Sequence, residues 1–184
     1  MKQKVLISGF GGQGIMMIGN IFAQAAFESG LETTVMPTYG VEQRGGTANT
    51  TVTISDFPIG SPTAPHPDVL VAMNQASIDR FGPAIRTNGQ MIVNKSQMER
   101  PFSRNDITVI GVDADAIAQE IGSMKTANVV ILGTLVGCLN GLLPYETAEN
   151  VMIKKLSKKP EFAEMNKRAF RRGFEVGSAF LKRS

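Results

Sequence analysis

The chain is poor in the residues that most redox and metal chemistry needs. It has no Trp, one Cys and one His. A single cysteine, Cys138, cannot ligate an iron–sulfur cluster, build a cysteine-based zinc site or close an internal disulfide. A single histidine, His66, cannot furnish a His-rich metal site, and a Ser-His-Asp triad would have to run through it. A long apolar run is also missing. The longest, residues 128–143, is interrupted by glycines, ends at Pro144 and falls short of the roughly 20 residues of a membrane span. Lys2 and Lys4 precede only the short run Val5–Ile7, which breaks at a glycine loop, so no secretory signal is read. Without a disulfide framework the expectation is a soluble, cytoplasmic protein.

What is present suits a folded core. The 184 residues are 42% hydrophobic and 19% charged, enough for one domain and too apolar for a disordered chain. The formal net charge of +3 is unevenly spread. Residues 1–153 carry 9 Lys and Arg against 13 Asp and Glu, whereas residues 154–184 carry 10 against 3. The expected organisation is a single domain, 1–184, with an α/β body over 1–153 and a basic helical tail over 154–184. In the tail, Phe162, Met165, Ala169, Phe170, Phe174, Val176, Gly177, Phe180 and Leu181 recur mostly at steps of three and four. That spacing draws one apolar stripe on a helix, with Lys167, Arg168, Arg171, Arg172, Lys182 and Arg183 on the other faces. The aromatics lie on the stripe and do not interleave with the cations, so docking on the body or on a partner is favoured over nucleic-acid binding.

Short apolar strands alternate with helical stretches. Strands are read at 5–8, 33–36, 48–55, 68–73, 90–94 and 107–112. Helices are read at 15–29, 75–81, 113–121, 127–139, 144–156 and in the tail. The alternation predicts an α/β fold, a three-layer α/β/α sandwich with a mixed, mainly parallel sheet and a helical C-terminal tail. The sheet is expected to be mixed because 48–55 follows 33–36 with no helix between them. Its alternation of Thr and apolar side chains predicts a half-buried strand.

Gly9-Phe10-Gly11-Gly12-Gln13-Gly14 matches G-x-G-x-x-G between a strand and a helix. Such a loop turns tightly and presents free N–H groups to an anion. A dinucleotide site also needs an acid at the end of the second strand, and there the chain reads Met36-Pro37-Thr38-Tyr39. Binding of a phosphate-containing ligand, of a partner's cofactor, or a purely structural turn all stay open; a stand-alone NAD(P)- or FAD-binding oxidoreductase is the alternative function. A second loop, Tyr39-Gly40-Val41-Glu42-Gln43-Arg44-Gly45-Gly46, sets an aromatic, an acid, an amide and a guanidinium between glycines. Arg44 and backbone N–H groups there suit a carboxylate or phosphate, while a Glu42–Arg44 pair in a surface turn is the plainer reading.

Together these two motifs resemble the gamma subunits of 2-oxoacid:ferredoxin oxidoreductases. Asp68-Val69-Leu70-Val71-Ala72-Met73-Asn74-Gln75, Asn128 with Leu132-Gly133, and 162–168 are similar to further family segments, so the likeness covers roughly residues 3–180. The resemblance implies a chain without catalytic residues of its own, working inside a complex with alpha and beta subunits, with or without a delta subunit. That complex oxidatively decarboxylates a 2-oxoacid to an acyl-CoA and passes electrons to ferredoxin. Thiamine diphosphate with its Mg, the iron–sulfur clusters and coenzyme A are then expected on or with companion subunits. General likeness favours 2-oxoglutarate as substrate, with no single residue carrying the choice. The implied site residues are the glycine loop (Gly9, Gly11, Gly12, Gln13, Gly14), an active-site-facing or interface loop (Tyr39, Gly40, Glu42, Gln43, Arg44, Gly45, Gly46), and Asn74 and Asn128. An isolated chain should expose apolar surface meant for partners, which can pair two copies into a homodimer.

Other residues read more simply. Cys138 is expected to be a buried inert thiol, His66 a surface histidine, and Asn74 a helix cap or a strand-end ligand group. Asp113 is expected to cap the helix that follows it, and Asp115 to complement its dipole.

Overall fold

The computed structural model describes residues 1–39, 47–139, 141–156 and 160–181. Strands β1 (Lys2–Phe10), β2 (Glu32–Tyr39), β3 (Thr47–Ser55), β4 (Val69–Ala72), β5 (Gln90–Asn94) and β6 (Thr108–Val112) form one sheet in the order β2-β3-β1-β4-β5-β6. β1, β4, β5 and β6 pair in parallel, and β3 runs antiparallel to both of its neighbours, β1 and β2. The sheet is therefore mixed, with only β3 reversed. The helices are α1 (Ile15–Glu28), α2 (Gln75–Phe81), α3 (Ala114–Ile121), α4 (Ala127–Cys138), α5 (Tyr145–Leu156) and α6 (Pro160–Leu181).

The layers are unequal. β1 sends Val5 and Ile7 to one face, where they join α1, α3, α4, α5 and α6 in the main core. Leu6 points to the other face, where it meets Leu70, Ala72, Met91 and Val93 of the sheet and Ile78 of α2. That second layer is α2, the 3-10 turn Gly82–Ala84 and the segment around Phe102. It covers β4 and β5 and leaves a cleft over β3 and β2.

Three expectations need correction. β3 is buried on both faces, with Thr51, Thr53 and Ser55 hidden as well as Val52 and Ile54, because it lies inside the sheet. β2 runs on through Pro37 to Tyr39, since an edge strand tolerates a residue without an N–H. Asp113 makes no side-chain cap on α3; its carboxylate pairs with Lys95 Nζ at 3.0 Å.

α6 is tied to α4 by glycines. A Cβ placed on Gly133 or Gly137 of α4 would run into the carbonyl of Phe170 or Phe174, and one on Gly173 or Gly177 of α6 would run into that of Val130 or Thr134. The order of these contacts makes the two helices parallel, and the glycines let their backbones touch.

Candidate functional site

β1 and β4 are neighbours, yet α1 leaves β1 toward one face and α2 leaves β4 toward the other. Such a switch point opens a crevice at the carboxyl ends of the strands, the usual ligand position in open α/β sheets. The glycine loop, Met73 and Asn74 sit there.

Gln13 closes the crevice. Its side chain folds back under the loop: Nε2 donates to the Met73 carbonyl at 3.1 Å, and Oε1 accepts from Phe10 N at 2.7 Å and Asn74 Nδ2 at 3.2 Å. A Cβ on Gly9 would lie 2.6 Å from that same Oε1, so the glycine makes room for the amide. Asn74 has two tasks: its Oδ1 caps α2 by accepting from Ser77 N at 2.8 Å, while its Nδ2 holds Gln13. Gly14 starts α1 in the left-handed region, φ +80°, and a Cβ there would meet Asn128 Nδ2 at 2.5 Å. Asn128 Oδ1 is buried with no hydrogen-bond partner among the described residues. Gly11 and Gly12 remain exposed at the tip.

The structure thus brings Gly9, Gly11, Gly12, Gln13, Gly14, Asn74 and Asn128 together. Residues 40–46, including Gly40, Glu42, Gln43, Arg44, Gly45 and Gly46, lie outside the described residues. Their flanks do not: Tyr39 pairs with Ala48, Ala48 with Gly9, and Thr47 with Phe10. The β2–β3 connection therefore leaves the same end of the sheet as the glycine loop.

Beside the loop lies a cleft of about 420 Å³, to which Asn94, Gln97, Asp115 and Lys125 contribute as well as Gly12, Gln13 and Asn128. The sequence reading missed these additional residues. Asp115 lies in the first turn of α3, where it complements the dipole as expected, and it also lines this cleft. Burial pushes its carboxyl up, but hydrogen bonds from Ser96, Asn94 and Gln97 outweigh that, and its pKa is lowered. Its partners lie some twenty residues upstream, a separation with no periodic signature. Exposed Phe10 and Met124 flank the loop, 40% and 55% accessible.

Cys138 is 3% exposed, and burial pushes its thiol up to about 12, so it is an unreactive packing group in no position to ligate a cluster. His66 is exposed, with Nδ1 3.2 Å from the Ala84 carbonyl. No group of three or more His, Cys, Asp or Glu that could hold a metal occurs among the described residues. No helix among them is long and apolar enough to cross a membrane.

A switch-point α/β fold whose glycine loop is plugged by its own glutamine is not built as a dinucleotide site. Its loop is instead tied into the fold through Gln13 and Asn74. Residues 4–176 match the Pyruvate ferredoxin/flavodoxin oxidoreductase family, and the chain belongs to that family. It is 37% identical over 172 residues to ketoisovalerate oxidoreductase subunit VorA of Methanothermobacter thermautotrophicus, covering 94% of this chain but 36% of that one. The chain therefore spans about a third of the length of that relative. With 2-oxoglutarate synthase subunit KorC of Methanocaldococcus jannaschii it shares 34% identity over 179 residues, 96% of this chain and 94% of the other. The crystal structure of the keto/oxoacid ferredoxin oxidoreductase gamma subunit from Geobacter sulfurreducens superposes with a TM-score of 0.81 at 28% identity, covering 96% and 99% of the two chains. The relatives are oxidoreductase subunits, and nothing supports the stand-alone NAD(P) or FAD enzyme.

Proposed function

We propose that this chain is the gamma subunit of a 2-oxoacid:ferredoxin oxidoreductase that converts a 2-oxoacid, 2-oxoglutarate in the first instance, to its acyl-CoA with electrons passed to ferredoxin. Alpha and beta companions, with or without delta, carry the thiamine diphosphate, its Mg and the iron–sulfur clusters. This chain contributes no catalytic group. It presents the glycine loop and the 39–46 loop to the companion that holds the reacting centre, in the cytoplasm.

The observation that carries the reading is the register of β1, β3 and β2, which roots both glycine-rich motifs at one end of the sheet. Two loops of like chemistry, one of backbone N–H groups and one bearing Arg44, then suit a single partner or a single anion. Coenzyme A is the anion the reaction supplies, and its phosphates suit the Arg44 guanidinium and the exposed Gly12.

Gentle purification from the native cell should yield this chain with companions that carry thiamine diphosphate, and the complex should reduce ferredoxin with a 2-oxoacid and coenzyme A. Rates with 2-oxoglutarate, pyruvate and 3-methyl-2-oxobutanoate select the substrate. Titration of the complex with coenzyme A should show affinity lowered about tenfold or more in Arg44→Ala, the loss of one charge-assisted contact. Unchanged affinity in both Arg44→Ala and Gly12→Asp removes coenzyme A from the loops. Recovery of the chain without companions removes the subunit reading itself.

A further inference from the structure

The cleft left by the thin second layer is a different site, on the far face of the sheet. It encloses about 410 Å³, within the range of small-ligand sites. Its floor is the outward side of β1, β3 and β2, with Leu6, Met36, Asn49 and Thr51; Arg80 and Phe81 form one wall, and the 63–67 segment forms the other. Hydrogen bonding between His66 Nδ1 and the Ala84 carbonyl joins the two walls.

Two polar side chains on the floor of this cleft are buried. Asn49 and Thr51 are 8% and 7% exposed. Asn49 Oδ1 accepts from Ser8 Oγ at 2.6 Å, and neither its Nδ2 nor the Thr51 hydroxyl has a hydrogen-bond partner among the described residues. Both residues line the cleft. Arg80 stacks on Phe81, its guanidinium carbon 5.1 Å from the ring centroid, and forms no ion pair with a described residue. No Asp or Glu lines the cleft among those residues.

Buried polar side chains with unused donors, a cation held by a ring, and apolar walls without an acid define the complementary molecule. We infer that this cleft binds a small organic carboxylate with an apolar body. The carboxylate meets the Arg80 fork and the donors of Asn49 and Thr51, and the body lies against Met36, Leu6 and Phe81. One guanidinium matches one carboxylate bidentately, whereas a phosphate dianion would be left half compensated. The inference does not depend on the proposed subunit role, because every group belongs to this chain and the cleft lies on the α2 face of the sheet.

Phenylacetate tests it. In a heteronuclear NMR titration of the full chain, phenylacetate should saturate, with shifts centred on Leu6, Asn49, Thr51 and Arg80. Its neutral isostere phenylacetamide, and phenylacetate with Arg80→Gln, should each bind at least about tenfold more weakly. Acetate, which lacks the body, should not saturate. Arg80 is exposed, so its replacement leaves the fold intact, and Thr51→Val with an unchanged melting curve should weaken binding several-fold. Equal binding of the acid and the amide, indifference to Arg80→Gln, or shifts confined to residues 9–14 overturns the inference. Loss of saturable binding once companions are attached assigns the cleft to a protein segment and also overturns it.

Discussion

Gln13 decides what the glycine loop is for. The sequence displays the glycines, and a G-x-G-x-x-G between a strand and a helix invites a pyrophosphate. The direction of one side chain determines whether that invitation stands, and spacing cannot convey it. Replacing Gln13 with Leu keeps the volume and strips three polar partners, the Phe10 N–H, Asn74 Nδ2 and the Met73 carbonyl. Stability should fall by about 1–3 kcal/mol in urea unfolding, the cost of leaving polar groups unpaired. Gly14→Ala should cost a similar amount, about 1–2 kcal/mol for the left-handed backbone alone, with displacement of Asn128 added. Asp115 gives a pH test. Its carboxyl is held below the usual 3.8 in the folded chain. It therefore adds stability above its unfolded pKa, and that contribution is lost as pH falls through the lower folded value. Asp115→Asn should lower the melting temperature at pH 7, and the gap to the parent should narrow by pH 3. A gap that stays constant across this range would mean the carboxylate charge contributes nothing.

At the scale of elements, the strands and helices were legible because their apolar periodicity is strong, and α2 and β5 have the bounds the pattern predicts. What periodicity could not reveal is how closely α4 and α6 approach. Gly177 counts as apolar on the tail's stripe, but the cause of the packing is the pair of G-x-x-x-G spacings, 133–137 and 173–177, which gain meaning only when the two helices are side by side. Both backbones then come within reach of Cα–H contacts to carbonyls. A methyl at Gly173 must push α6 off the Val130 carbonyl, a rigid backbone atom in a helix buried on nearly all sides. Gly173→Ala should therefore cost about 3 kcal/mol, at the upper end for overpacking, and lower the melting temperature by roughly 6–12 °C for a chain of this size. Glu175→Ala, two residues on and exposed, should stay within about 0.5 kcal/mol. If the two variants melt alike, the helices have room to separate and the glycines are incidental.

For the molecule as a whole, the mixed sheet could be read from the lack of a helix before β3, but the unequal layers could not. Composition does not say that, among the described residues, α2 and a few turns cover the second face, nor that the other helices gather on the first. The consequence is a gradient of stability from the helix-covered centre to the loop-bearing end. The middle of β1, β4 and most of α4 are buried, whereas β2 is an edge and exposed Phe10 and Met124 mark the carboxyl end. Amide exchange of the isolated chain should therefore be slowest in 5–9 of β1, in β4 and in 130–138 of α4, and fast at 10–14 and 124–128. Attaching companion subunits tests which end they cover. If the glycine-rich loops are what this chain offers, exchange should slow by at least about tenfold at 10–14, 47–49, 74–76 and 124–128, equivalent to 1.4 kcal/mol of added local stability. The outer face of α6, with exposed Arg168 and Arg171, should be unaltered. Slowing along α6 with no change at 10–14 would move the interface to the basic helix, and the two loops would then need a role other than contact with companions.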